Sequence, residues 1–312
     1  MTTQLHFAQL SDIHFSSLGD HHDMLSGRAG DFLTNAITRL NQIQDLDFVL
    51  ITGDLFDTAS REEFECFQET IKPLQKPYYI IPGNHDRREK ISTEGLTRQQ
   101  FARYFNPQFE ERPTSPDKQV GYWSISVAPN IQLIGLDSTR DEDWGGIIDE
   151  TQMMWLEHEL IASADKLVMA AVHHPLHPLV PIDHNPDWTR FICDNGSEVL
   201  ELLNQYPQVK VVLTGHHHIT KMDQVGQRIH LACPAMVIYP CAYRTLRVSQ
   251  QEDGTWQLEW STHPATDEQT ITDARRRMLN NWISVFPKNV AANFVDAALG
   301  KEEDRAGQVK LS

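Results

Sequence analysis

Val211–Thr220, VVLTGHHHIT, decides how the chain is read. A strand-like run ends in Gly215 and then in three consecutive histidines, His216, His217 and His218. Imidazoles neither pack nor turn well at the end of a buried strand, so this triplet needs partners from elsewhere. Other runs of the same kind supply candidates: Leu5–Asp12 (LHFAQLSD), Phe48–Asp54 (FVLITGD), Tyr78–Asn84 (YYIIPGN), Ile131–Asp137 (IQLIGLD) and Leu167–His173 (LVMAAVH). With Val209–His216, these have the length and residue types of buried strands.

Helical patterns lie between the runs. Ser60 and Glu63 stand at capping-box spacing, and Asp149 with Gln152 offers a similar start before MMWLEHEL. Ser197–Tyr206 carries Val199, Leu200, Leu202 and Leu203 on one broad face. Strand–helix alternation predicts an α/β fold with helices covering a buried sheet. Composition makes Arg112–Gly121 a loop. Beyond His263 the character changes: Thr266–Ile283 is amphipathic, and Val290–Leu299 forms a further helical pattern closed by Gly300. The division expected is a catalytic domain over 1–263 and a mostly helical appendage over 264–312 with a frayed, charged end. That tail either packs on the core or pairs subunits into a homo-oligomer.

The net charge of -16 over 312 residues argues against a nucleic-acid polymer as partner, while tolerating a small anion at a locally positive site. Four cysteines without CxxC spacing suggest neither a disulfide framework nor a thiolate zinc site. No run approaches the roughly 18 apolar residues of a membrane span, so no membrane insertion is expected. Cleavage of a leader would remove Asp12 and His14, so a cytoplasmic location is expected.

Five runs deliver polar ligands at their ends: Asp12 and His14 (SDIH), Asp54 (TGD), Asn84, His85 and Asp86 (GNHD), His173 and His174 (HHP), and the GHHH triplet. Asp, Asn and His suit borderline and hard divalent cations. Ligands bind beyond the carboxyl ends of strands in open α/β sheets, so the five clusters can converge on one rim. In extended backbone, residues i and i+2 share a side. Asp12 can thus join His14, and His216 can join His218, with His217 as the spacer. One such ending is commonly a turn or cap; five together are not explained that way.

DIH, GD, GNHD, HHP and GHHH, in this order between Leu5 and His218, resemble the motifs of the calcineurin-like binuclear metallophosphoesterases. They look closest to bacterial cyclic-nucleotide phosphodiesterases and glycerophosphodiesterases, as does Asp137–Leu160. The resemblance implies a four-layer αββα sandwich of two mixed β-sheets between helices, where periodicity alone leaves a doubly wound sheet open. It implies two divalent metal ions (Mn, Fe, Zn or Co). One would be held by Asp12, His14, Asp54 and His218, the other by Asp54, Asn84, His173 and His216, with Asp54 bridging. Of the HHP pair, it makes His173 rather than His174 the ligand. His85 would steady the phosphoryl oxygens or protonate the leaving group, with Asn84 and His217 also on the substrate side.

Such a centre would attack a small phosphodiester with a metal-bridging hydroxide. The substrate expected first is 3',5'-cyclic AMP or another cyclic nucleotide. The alternatives are a glycerophosphodiester, a broader phosphodiesterase or phosphatase activity, or a silent scaffold of the same fold.

Overall fold

A computed structural model of the chain describes residues 3–87, 96–105, 121–141, 143–185 and 190–311. Residues 112–120 of the expected loop lie outside these. Strands β1 (Gln4–Leu10), β2 (Phe48–Ile51) and β3 (Tyr78–Ile80) alternate with helices α1 (Ala29–Gln42) and α2 (Arg61–Ile71). Ser60 starts α2 as a full capping box with Glu63, as their spacing predicts. Helix α3 (Arg98–Phe105) and strands β4 (Trp123–Ala128) and β5 (Ile131–Gly135) follow. Helix α4 (Glu150–Ala162) begins at Asp149, whose side chain accepts from Gln152 N. Strand β6 (Leu167–Ala171), helix α5 (Gly196–Asn204) and strand β7 (Val209–Thr214) complete the part that carries the motifs.

The remaining elements are β8 (Lys221–Val225), β9 (Arg228–Ala232), β10 (Ala242–Gln250), β11 (Trp256–Pro264), α6 (Glu268–Ile283), α7 (Lys288–Leu299), α8 (Glu302–Arg305) and β12 (Ala306–Leu311). They close two six-stranded mixed sheets, ordered β12-β11-β10-β1-β2-β3 and β4-β5-β6-β7-β9-β8. Parity along each strand sorts the layers. Leu5, Phe7, Leu50, Met169, Val211, Leu213 and Leu231 fill the space between the sheets. On one outer face Ala8, Leu10, Val49 and Ile51 meet the apolar side of α1 (Phe32, Leu33, Ala36, Ile37) and Ala274, Met278 and Phe294 of α6 and α7. On the other, Val168, Ala170 and Val212 meet Leu156 and Leu160 of α4 and Val199 and Leu203 of α5. Burial on both faces is why these strands read as unbroken apolar runs. The architecture is the four-layer αββα sandwich, not a single doubly wound sheet.

The frayed terminus is overturned. Residues 306–311 pair with β11 from Ser261↔Ala306 to Trp256↔Leu311 and form the edge of the first sheet. Two features hold them there despite the charged KEEDR run. Leu311 and Val309 add to the apolar layer between the sheets. Asp304 is 3% exposed and accepts from Met222 N at 2.9 Å and Lys301 N at 2.9 Å, tying the tail to β8 of the other sheet.

Candidate metal centre

The five motif segments lie just past the carboxyl ends of β1, β2, β3, β6 and β7, and backbone hydrogen bonds lace them together. Asp12 N donates to the Gly53 carbonyl at 3.0 Å, and the Asp54 carbonyl accepts from Ile13 N at 2.8 Å and His14 N at 3.0 Å. Asp86, at 0% exposure, ties the third segment to the second: its carboxylate accepts from Leu55 N, Phe56 N and Gly83 N at 2.7, 3.1 and 2.9 Å. Gly53 sits at φ +93°, and a Cβ there would stand 2.5 Å from His173 Nδ1 and 2.7 Å from Gly83 N. Only glycine lets these segments approach so closely.

Three groups of side chains with ligand spacing result among the described residues: two that share Asp54, and a third of His14, Asp57 and His85. Asp12, His14, Asp54 and His218 place one ligand atom each within 4.8 Å of one another, and so do Asp54, His173 and His216. Asp54 belongs to both. Asn84 extends the second group, its Oδ1 lying 3.2 Å from His173 Nε2, and His173 Nε2 also lies 3.2 Å from Asp54 Oδ2. In the first group His218 Nε2 is 3.2 Å from Asp12 Oδ1 and 3.4 Å from His14 Nε2.

Asp12 and His14 share a group as their i, i+2 spacing suggests, whereas His216 and His218 fall in different groups, and the backbone is not the extended one that the spacing assumes. Asp12, His14, Asp54, His216 and His218 are not extended but left-handed, at φ 53°, 45°, 53°, 64° and 59°. Each such non-glycine residue costs of order 1–3 kcal/mol. The turns aim His216 and His218 at different groups, with Asp12 accepting from His216 N at 3.2 Å.

Of the HHP pair, His173 faces the cluster and His174 does not. The Thr52 carbonyl accepts from His173 Nδ1 at 2.6 Å, leaving Nε2 toward Asp54 and Asn84. His174 is held by Ser138 Oγ at 2.7 Å and the Trp144 carbonyl at 3.0 Å. His85 lies beside both groups that share Asp54; its backbone N donates to Asp54 Oδ1 at 2.9 Å, and its Nδ1 meets the Asp57 carbonyl at 2.6 Å. His217, expected on the substrate side, turns into the protein instead. Its side chain is 2% exposed, with Nε2 2.7 Å from Asp183 Oδ1. Asp183 in turn accepts from Leu179 N and Val180 N, so His217 fixes the loop that follows β6.

Several site residues carry no motif signal. Thr52 and Arg190 act through backbone carbonyls, the latter accepting from His216 Nε2 at 3.2 Å. No residue-type pattern marks such contacts. Asp57 and Asp183 act only through tertiary contacts. Arg244 stays outside the site: it is fully buried and donates to the Ala232 and Lys221 carbonyls at 2.9 and 3.2 Å.

Burial favours the neutral forms of the Asp12 and Asp54 carboxyls, but neighbouring imidazoles outweigh it. His218 holds Asp12 below its ordinary range, and His173 with His85 holds Asp54 well below it. Burial pushes His14 down to about 3, and burial with His174 and His173 pushes His216 well down. Burial opposes charge on His173 too, yet Asp54 more than compensates and lifts it to about 9. Burial and the Asp54 charge raise Asp86 to about 7.

The donor set fits divalent cations. Asp12 and Asp54 are 0% and 1% exposed, and among the described residues their ion-pair partners are all imidazoles. Buried carboxylates without Lys or Arg, beside imidazole nitrogens facing one another at 3.4 Å, are groups that a bound cation would reconcile.

Fold and site together define a phosphoesterase scaffold. The model of the calcineurin-like phosphoesterase family matches residues 5–220, and the chain belongs to that family. A probable glycerophosphodiester phosphodiesterase of Arcobacter nitrofigilis is 34% identical over 189 residues, 60% of this chain and 62% of that protein. A 3',5'-cyclic-nucleotide phosphodiesterase of Nostoc sp. is 28% identical over 254 residues, 75% of this chain and 84% of that protein. Among solved structures, a dimetal phosphatase from Danio rerio shares the fold, with a TM-score of 0.65 at 16% identity over 84% of this chain and 97% of that one. A binuclear divalent metal centre is expected for the family, and the two ligand groups that share Asp54 are candidates for it. No helix among the described residues is long and apolar enough to cross a membrane.

Proposed function

We propose that the chain is a metal-dependent phosphodiesterase of small diesters, with a nucleoside 3',5'-cyclic phosphate as the favoured substrate. The observation that carries this reading is Asp54, one buried carboxylate common to two ligand groups. Asp12, His14, Asp54 and His218 would hold one ion, and Asp54, Asn84, His173 and His216 the other. Bound there, two divalent ions would supply Lewis-acid polarisation of the phosphoryl oxygens and acidify a water molecule toward neutrality.

The chain's own groups do the rest. The Thr52 carbonyl takes His173 Nδ1–H and the Arg190 carbonyl takes His216 Nε2–H, so each ring presents its other nitrogen to the cluster. The Asp57 carbonyl accepts from His85 Nδ1–H, which leaves Nε2 as the nitrogen that meets the substrate; in the doubly protonated ring it is Nε2 that hands a proton to the departing ester oxygen. Asn84 offers its amide beside the second group, where it can meet both ion and substrate. His217 serves at one remove, holding the loop that carries Asp183.

The names of the relatives support a diester substrate, and the acidic surface disfavours a polymeric one. The test is a competition screen of cyclic nucleotides, glycerophosphodiesters and monoesters on protein of assayed metal content. Diesters should be turned over faster than monoesters, and only with metal. Monoester turnover equal to or above diester turnover, or hydrolysis indifferent to metal, would overturn the reading.

A further inference from the structure

The indole of Trp144 is 38% exposed, although it stands beside the buried cluster. Its ring centre is 6.0 Å from that of His216 and 5.2 Å from that of Phe191, which itself packs 4.9 Å from His217. A half-open indole at this place serves neither the core nor a metal ion. It is also firmly presented. The Trp144 carbonyl takes the His174 Nε2 hydrogen at 3.0 Å, Asp143 Oδ1 accepts from Gly145 N at 2.9 Å, and Asp194 N donates to the Gly146 carbonyl at 2.8 Å. Gly146 runs so close to His174 that a Cβ would stand 2.5 Å from its ring.

Arg190 completes the arrangement. Its guanidinium carbon lies 5.7 Å from the indole centre, and its side chain pairs with Asp143. Its carbonyl, as noted, fixes His216. The backbone of this arginine is therefore tied to the metal ligands, while its half-exposed side chain lies over an aromatic plane.

We propose that Trp144 and Arg190 form a specificity platform on which the planar base of a nucleoside phosphodiester stacks, while its phosphate meets the Asp54 cluster. The proposal rests on the phosphodiesterase reading and names the substrate class within it. Aromatic stacking is worth enough to select a base over a small polar alcohol. Charge argues the same way: with the guanidinium already beside the indole, a cationic head group such as ethanolamine would meet repulsion there, whereas a neutral purine would not.

The test uses the full, metal-loaded chain with 3',5'-cyclic AMP and glycerophosphoethanolamine as competing substrates. In Trp144→Ala the ratio of kcat/KM for the nucleotide to that for the glycerol diester should fall about tenfold or more, chiefly through KM. Trp144→Phe, which keeps an aromatic face, should retain most of the ratio, and Arg190→Ala should lower it. A ratio unmoved in Trp144→Ala, or lowered as far in Trp144→Phe, overturns the proposal. Adenosine monophosphate binding, measured by calorimetry on the same proteins, separates this idea from its premise. If wild type hydrolyses neither diester, the phosphodiesterase reading fails. Weaker nucleotide binding by Trp144→Ala would then still support the platform, and equal binding would refute it.

Discussion

His230 sets a measurable acid limit on the folded state. It lies on β9, 3% exposed, its ring edge-on to His177 at 4.8 Å and opposite Asp223 in the strand register. Neither ring nitrogen has a hydrogen-bond partner among the described residues. Burial, with His177 and Arg228 adding to it against the weaker pull of Asp223, drives its imidazole down to about 3. In the unfolded chain it titrates near 6.5. Below that value the unfolded state takes up a proton that the folded state refuses, so stability falls as pH falls, by about 1.4 kcal/mol per pH unit until about pH 3. Between pH 7 and pH 5 this one residue should cost about 2 kcal/mol. His230→Phe removes the titration and two unpartnered nitrogens, and should be at least as stable as wild type at pH 7. Urea unfolding of both proteins at pH 7 and pH 5, at equal metal saturation, gives the comparison. The wild type should lose about 2 kcal/mol more than the variant over that interval. Equal losses would refute the account of His230 as a buried neutral imidazole.

Further outcomes are expected. Asp54→Asn should weaken both ions together, with metal content and turnover falling by more than the roughly 10–100-fold that follows loss of a group behind a ligand; elemental analysis showing one ion fully retained would contradict its shared position. His85→Ala should keep its metal yet lose about 10²–10⁴-fold in kcat, and metal loss on the same scale as the rate loss would instead make it a structural residue. Ending the chain after Arg305 removes β12 and uncovers Trp260 and the β11 edge. Thermal unfolding should then show a loss of about 2–5 kcal/mol, comparable to emptying a large core position; an unchanged midpoint would mean that the strand adds nothing.

Much of this molecule is written locally. Alternating strand and helix lengths, the capping pairs Ser60/Glu63 and Asp149/Gln152, and five strands ending in Asp, Asn or His are properties of neighbouring residues, so the chain displays them unaided. Long-range contact decided the rest. Whether a strand joins one sheet or the other is a matter of pairing, so β12 looks like a charged tail until it meets β11. His173 and His174 are adjacent and chemically identical; only the Thr52 carbonyl on one side and the Ser138 hydroxyl on the other give them different tasks. His217 sits between two residues of the cluster yet faces Asp183, 34 positions away in the chain. The five left-handed turns are likewise invisible in residue type, because aspartate and histidine adopt them only where the surrounding backbone imposes the cost. A sequence states which atoms are available; the packing of two sheets fixes which of them meet.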